Sequence, residues 1–421
     1  MNLTDEEQAM LAGASGPGVQ KAMEILTALG RIYGADDLVP VTSVQVAGVS
    51  YKNLGDAGLE FLADWAQQGA RVRVPTTLNP AGLDLERWQA LGFDADFAAK
   101  QARVIQAFVA MGIRPTCTCT PYYVGNLPAQ GDHIAWSESS AVSFANSVLG
   151  ARTNREGGPS ALAAAIAGRT ARYGLHLAHN RRAQVVADVR CPVASASDFG
   201  ALGALVGKIA RNRVVYFKFR GASGVGAESQ EALAGAQPPQ HTALKSLGAA
   251  MAASGAVALY HVEGVTPEAD RPGIIAPGAE TLAVESLADG YAMLDSDGAD
   301  DVDLVWIGCP HASPAELAQV VELLAGRPVR ARLWVTMARA SRAEAAQTGT
   351  VAALEALGGQ VVADTCLVVA PVKELGFRRM ATPSAKGAYY AQSQSGLAVR
   401  YGSVEACIEA AVTGHWTSES R

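Results

Sequence analysis

Apolar residues recur at helical spacing over residues 4–12 and 19–31, which predicts two amphipathic helices. Residues 38–46 are rich in β-branched side chains and predict one strand running into the turn Ala47-Gly48-Val49-Ser50-Tyr51. The pattern then predicts a helix over 57–68, a short strand over 72–74 and a loop over 75–80, where Asn79-Pro80 blocks helix. A further helix over 97–111 ends at Gly112.

The second half repeats one unit. Strands at 302–307, 332–335 and 360–363 alternate with helices at 314–324 and 343–357, with Ser313 as the N-cap of the first helix. Such alternation implies a parallel sheet with right-handed crossovers, hence an α/β fold. Residues 221–240, rich in Gly, Ala and Pro, read as a linker between lobes at 1–220 and 241–421, and 264–277 as a second irregular segment.

A chain of 421 residues can bury a large core divided over two or three lobes. Its 34 basic and 40 acidic residues leave a net charge of −6, which argues against a nucleic-acid partner. The basic clusters at 169–172, 181–182 and 208–213 read as solvated faces. Asp5, Glu6 and Glu7 stand where a signal peptide would be basic and then apolar. The weakly polar run at 248–260 is too short for a bilayer and is interrupted by Ser254 and Gly255. A cytoplasmic protein with no membrane partner is expected. Six cysteines in such a chain point to metal or catalytic use rather than disulfides.

Three of these cysteines lie beside a proline or at a strand end. They are Cys119 in Thr118-Cys119-Thr120-Pro121, Cys309 in Gly308-Cys309-Pro310-His311, and Cys366 in Asp364-Thr365-Cys366. Three thiolates, one fewer than a closed iron–sulfur site needs, would leave a metal position free for substrate. Cys309 and Cys366 are expected just beyond the carboxyl ends of two strands of one sheet, the edge where open α/β sheets bind ligands. Cys117 and Cys119 form a Cys-x-Cys, and spacing alone does not say which is the ligand. Cys191 and Cys407 read as small buried hydrophobes.

The polar run Trp136-Ser137-Glu138-Ser139-Ser140-Ala141 and residues 145–154 pack hydroxyls, an amide and a guanidinium densely enough to recognise a small anion. A capped helix with a polar turn is the plainer alternative. Lys386 in Ser384-Ala385-Lys386-Gly387 reads either as an exposed lysine or as a carboxylate ligand. Gly221-Ala222-Ser223-Gly224-Val225-Gly226 has the wrong spacing for a dinucleotide loop. His133, His176, His179, His241 and His311 form no zinc-binding pair and read as hydrogen-bonded side chains.

Taken together, Gly48-Val49-Ser50-Tyr51, Thr76-Thr77-Leu78-Asn79-Pro80, Cys119-Thr120-Pro121-Tyr122, residues 136–141 and 146–153, Gly308-Cys309-Pro310-His311, Asp364-Thr365-Cys366 and Ser384-Ala385-Lys386 resemble the large subunit of the aconitase X family. The resemblance covers nearly the whole chain in order. It implies aconitase-like lobes with parallel-sheet α/β/α layers and an iron–sulfur cluster, 2Fe-2S or 4Fe-4S, at the strand carboxyl ends. Cys119, Cys309 and Cys366 would hold the cluster, with Cys117 an additional residue beside the family position. Gly48, Val49, Ser50, Asn79, Pro80, Ser139, Ser140 and Lys386 would line the pocket for a small carboxylate substrate.

The family's small swivelling domain is expected to be missing from this chain, so a separate small subunit is expected, with the catalytic base on it. The implied reaction is dehydration of a β-hydroxy acid. The favoured substrate is cis-3-hydroxy-L-proline, giving Δ1-pyrroline-2-carboxylate, because the pocket motifs hold no dense Lys/Arg cluster and the Ala-rich composition looks bacterial. A 5-phosphomevalonate dehydratase, an RNA-binding relative without a cluster and a plain thiol enzyme are the alternatives.

Overall fold

Short apolar strands that pair in register with sequence-distant neighbours build three parallel sheets, seen in a computed structural model that describes residues 1–220, 241–296 and 300–417. The first sheet orders its strands Thr76–Leu78, Val44–Val46 and Ala135–Trp136. The second runs Tyr260–Val262, Val215–Phe219, Ala183–Val189 and Ile275–Val284. The third has five strands, in the order Gln360–Ala363, Arg332–Met337, Leu304–Ala312, Arg379–Thr382 and Ala398–Tyr401. Helices connect the strands, as parallel pairing requires, and the fold is α/β. One hydrophobic cluster containing Trp136, Phe144, Phe199, Phe217, Trp306 and Trp334 joins all three sheets.

The central strand Leu304–Ala312 is buried along its whole length, as expected of a strand covered on both faces. Proline cannot donate to a ladder, so Pro310 forces a break there. The pairing to Arg332–Met337 slips between Ile307 and Ala312. Gly308 sits at φ +103, and a Cβ on it would lie 2.2 Å from the Thr336 carbonyl oxygen, so only glycine fits. Cys309 therefore lies inside the strand's span at its irregular stretch, not beyond its end as expected. Cys366 does follow its strand, Gln360–Ala363, on a loop.

Several local expectations hold in place but not in extent. Ser313 caps Pro314–Leu324 through a reciprocal capping box with Glu316. The strand expected over 38–46 is two strands in different sheets. Residues 72–74 are not a strand; the strand is Thr76–Leu78, inside the expected loop. The helix expected over 343–357 is two, Arg339–Gln347 and Thr350–Ala356, broken where Gly349 turns left-handed at φ +76. The irregular segment expected at 264–277 runs into the strand Ile275–Val284. The linker expected at 221–240, and the glycine run within it, lie outside the described residues.

High Ala and Gly content lets helices approach closely. Ala196–Ala210 packs on Thr242–Gly255 so tightly that a Cβ on Gly255 would lie 1.9 Å from the Gly207 carbonyl oxygen. No helix among the described residues is long and apolar enough to cross a membrane.

Arg181, expected on a solvated face, is buried. Its guanidinium donates to Glu268 at 2.7 Å, to the side chain and carbonyl of Asn146 at 3.1 and 3.0 Å, and to the Ala151 carbonyl at 3.1 Å. It thereby fastens the end of the helix Ser139–Ser147 to the segment carrying Glu268. Removing one member of a buried pair strands the other charge out of water. Arg181→Ala is expected to destabilise the chain by about 3–5 kcal/mol, read as a fall in the denaturation midpoint. An unchanged midpoint would show that Glu268 and Asn146 find other partners.

Candidate active site

Strand ends of the first sheet are hydrogen-bonded to one another and to loops of the third. The Asn79 N–H donates to the Val46 carbonyl at 2.9 Å, Ala81 N–H to the Asp364 carbonyl at 2.8 Å, and Ser50 Oγ to the Val369 carbonyl at 2.8 Å. The Thr118 N–H donates to the Leu78 carbonyl at 2.9 Å, and Gln45 Nε2 to the Thr118 carbonyl at 3.1 Å. These bonds bring the Gly48–Ser50, Asn79–Pro80 and Cys119 segments to the loop that carries Cys366.

Cys119, Cys309 and Cys366 converge there, only 4%, 6% and 7% exposed. The backbone N–H of His311 donates to Cys119 Sγ at 3.1 Å. Cys309 and Cys366 share a thiol hydrogen bond, which lowers Cys309 and raises Cys366. Burial still opposes the Cys309 thiolate, while the Lys386 ammonium favours it. Burial pushes Cys119 up, and the Glu138 carboxylate adds to that. Cys117 instead sits in the core of the first sheet with Val46, Leu78 and Ala81, where burial pushes its thiol well up. The fold thus separates the two members of the Cys-x-Cys, which spacing could not. Cys191 and Cys407 are packed in hydrophobic clusters.

The polar run at 136–141 is both a capped helix and a wall of the site. Every residue of Ser139–Ser147 is buried, and Glu138 caps it by accepting the Ala141 N–H at 2.7 Å. Ser140 Oγ donates to Glu138 at 2.6 Å and Ser139 Oγ at 3.3 Å. Lys386 forms a short ion pair with Glu138 and donates to Ser140 Oγ at 3.2 Å. Both partners are nearly dry, so the exposed reading of Lys386 is overturned. Burial alone would raise the Glu138 carboxyl, yet Lys386, Ser140 and the Ala141 N–H hold it below its ordinary value. Burial likewise opposes the Lys386 charge, and Glu138 outweighs it. Ser384 caps the helix carrying Lys386 and donates to the Cys309 carbonyl, which couples the ammonium to the thiol loop.

Gly48 is half-buried at φ +77; Val49 and Pro80 are buried, and the Val49 carbonyl accepts from Gln101 Nε2 at 2.9 Å. Asn79 Oδ1 is buried with no hydrogen-bond partner among the described residues. A cavity of about 470 Å³ adjoins Cys309 and Ser384 and is lined also by Ser195, Ser197, Lys245 and Glu316. Glu138 is the residue the sequence reading passed over: it lay inside a quoted motif, but its partner is distant in the chain. His133 pairs with His176, Nδ1 to Nδ1 at 2.8 Å, as a hydrogen-bonded histidine should, whereas His241 Nδ1 is buried with no partner among the described residues.

Among the described residues, no group of three His, Cys, Asp or Glu side chains is arranged to enclose a single metal ion. Two thiols on loops and one on the irregular stretch of a strand, drawn together from distant segments, suit a multi-iron group held by thiolates rather than one enclosed ion. The N–H on Cys119 and the nearby ammonium are the features that offset thiolate charge in such sites, so the donor set fits an iron–sulfur cluster.

Residues 1–179, 183–288 and 302–413 match models of the aconitase X first, second and third domains. The crystal structure of Thermococcus kodakaraensis aconitase X in its holo form aligns with a TM-score of 0.87 at 49% identity, covering 98% of this chain and 100% of that one. The phosphomevalonate dehydratase large subunit of Methanothermobacter thermautotrophicus is 49% identical over 396 residues, 94% of this chain and 95% of that protein. Its counterpart in Thermococcus kodakarensis is 50% identical over 415 residues, 98% and 100% respectively. The cis-3-hydroxy-L-proline dehydratase of Pseudomonas aeruginosa is 36% identical over 431 residues, 98% of this chain but 71% of that protein.

The Glu138–Lys386 pair makes a signed pH prediction. A carboxyl lowered in the fold adds stability above its unfolded pKa and loses it as pH falls through the folded value. In Lys386→Met only Ser140, Ser139 and the Ala141 N–H still oppose the burial cost, so Glu138 rises, and stability should instead fall as pH climbs from about 5 to 8. Melting temperatures of parent and variant across that range check this. Parallel curves would show that Lys386 does not hold the carboxylate.

Proposed function

The chain belongs to the aconitase X family and is a dehydratase, and from this we propose that it is the large subunit of a phosphomevalonate dehydratase, acting with a separate small subunit in the cytoplasm. One observation carries the substrate choice: the chain runs nearly end to end with phosphomevalonate dehydratase large subunits at about half identity. The hydroxyproline enzymes are more distant and extend well beyond the match. This reverses the preference drawn from the sequence. Two lysines outside the quoted motifs support the change. Lys52 follows Ser50 by two residues, is exposed and donates to the Ala370 carbonyl at 2.8 Å; burial disfavours its charge, the nearby Glu374 carboxylate favours it and Lys373, also close, disfavours it. Positive charge beside the Gly48–Ser50 loop is what a phosphate requires.

Dehydration of a β-hydroxy acid removes a weakly acidic proton beside the carboxylate and expels a poor leaving group. An iron–sulfur cluster held by Cys119, Cys309 and Cys366 would supply Lewis acidity for that departure. The chain's own residues orient the substrate. An ammonium has three donors, and Lys386 spends two on Glu138 and Ser140, leaving one for the substrate carboxylate. Glu138 keeps the ammonium charged in a dry site. Asn79 Oδ1 awaits a donor, which a substrate hydroxyl supplies. Gly48, Val49, Ser50, Pro80 and Ser139 complete the pocket, and the base is assigned to the small subunit.

The heteromer, purified without oxygen, is expected to carry iron and acid-labile sulfide, largely lost in Cys309→Ala. It should dehydrate 5-phosphomevalonate with kcat/KM on the order of 10⁴-fold above cis-3-hydroxy-L-proline, the scale of discrimination when a polar subsite goes unfilled. Faster turnover of the hydroxyproline would overturn the substrate, and absence of iron after reconstitution would overturn the cluster.

A further inference from the structure

His311 belongs to the Cys309 loop, is fully buried, and contacts both other cysteine loops. Its backbone N–H reaches Cys119 Sγ at 3.1 Å. Its ring Nδ1 lies 3.0 Å from Thr118 Oγ1, beside Cys119, and its Nε2 lies 2.9 Å from the carbonyl of Thr365, beside Cys366. The partners decide the tautomer. A carbonyl only accepts, so Nε2 carries the proton and donates to Thr365. Nδ1 then accepts from the Thr118 hydroxyl, and Thr118 in turn accepts from Thr120 Oγ1 at 3.0 Å and the Thr120 N–H at 3.1 Å. The hydrogen bonds thus run in one direction, from the Thr118–Thr120 turn through the ring to the Cys366 loop.

We propose that His311 is the positioning residue of the thiol site: its ring ties the Cys119 and Cys366 loops to the Cys309 segment, so that three thiols from two sheets stand preset to receive a cluster. The proposal rests on the cluster reading above. His311 touches no substrate and acts only through the cysteines.

The test uses His311→Leu, which removes both ring bonds, and His311→Gln, whose amide N–H can still reach the Thr365 carbonyl. Each is made in the heteromer, and two readouts are taken. One is the rate at which each cysteine is alkylated in protein stripped of metal, followed by mass spectrometry. The other is the electron paramagnetic resonance signature of the loaded protein, with the rate of iron release to a chelator. In His311→Leu, alkylation of Cys119 and Cys366 and release of iron should quicken roughly 10–100-fold, the usual effect of losing an outer partner of a metal site, and the resonance should change shape. His311→Gln should stay close to the parent.

A leucine variant with parent-like labelling, release and resonance overturns the proposal, and so does a glutamine variant that behaves like leucine. If the leucine variant does not fold, Thr118→Val decides: a smaller change in the same direction supports the proposal, and none overturns it. A parent without iron would sink the cluster reading, while labelling of the stripped protein would still judge the role of His311.

Discussion

A lysine ammonium and a glutamate carboxylate, both almost out of water, set the terms for everything around them. Desolvating two charges costs several kcal/mol per ion unless geometry and further hydrogen bonds repay it. Here the repayment is visible. Glu138 accepts from the Ala141 N–H, Ser140 and Ser139 besides Lys386; it is itself the N-cap of its helix, and the helix carrying Lys386 is capped by Ser384. Such a pair stabilises little in itself. What it provides is a fixed positive charge beside three thiols, which no solvated lysine could hold in place.

That constraint explains the architecture. Parallel strands send their loops to one edge, and two sheets that meet edge to edge can place loops from distant segments within hydrogen-bond reach. The first sheet contributes Ser50, Asn79 and Cys119, and the third contributes Cys309, Cys366 and Lys386. The break in the central strand at Pro310 serves the same end. A regular ladder would direct Cys309 to one face of the sheet, whereas the slipped stretch frees its thiol to meet Cys366 and its carbonyl to meet Ser384. The buried guanidinium of Arg181 holds the far end of the Glu138 helix, so the charged end cannot drift.

How far the sequence discloses this depends on the range of each interaction. The Ser313 cap and the strand Gln360–Ala363 were legible because a capping box and an apolar run between turns are local signals. Thr76–Leu78 was not. Its three residues look like a loop, and only pairing with Val44–Val46 makes them a strand. Ile275–Val284 was hidden in the same way by Pro277, Gly278 and its many half-exposed positions. The cysteines could be singled out from their turns and from the family resemblance, yet not their convergence. Glu138 needed Lys386, and Arg181 needed Glu268; neither pairing leaves a trace in local spacing.

The same reasoning accounts for the substrate that the motifs pointed to first. Hydroxyproline and phosphomevalonate share a carboxylate with a hydroxyl on the β-carbon, and in the proposed function the thiols, Lys386 and the serines would address only that half. Residues fixed by the chemistry are therefore blind to the difference between the two. Discrimination has to lie where the molecules differ, at an ammonium in one case and a phosphate in the other. On the phosphomevalonate reading, that end of the substrate would meet the exposed turn after Ser50, where Lys52 stands with Lys373 nearby. Neither lysine belongs to a motif, because a phosphate can be met by any positive charge within reach, whereas a dry ammonium facing three thiols can be built in few ways. The family was legible in the buried half of the site, and on the proposed reading the substrate would be set by its rim.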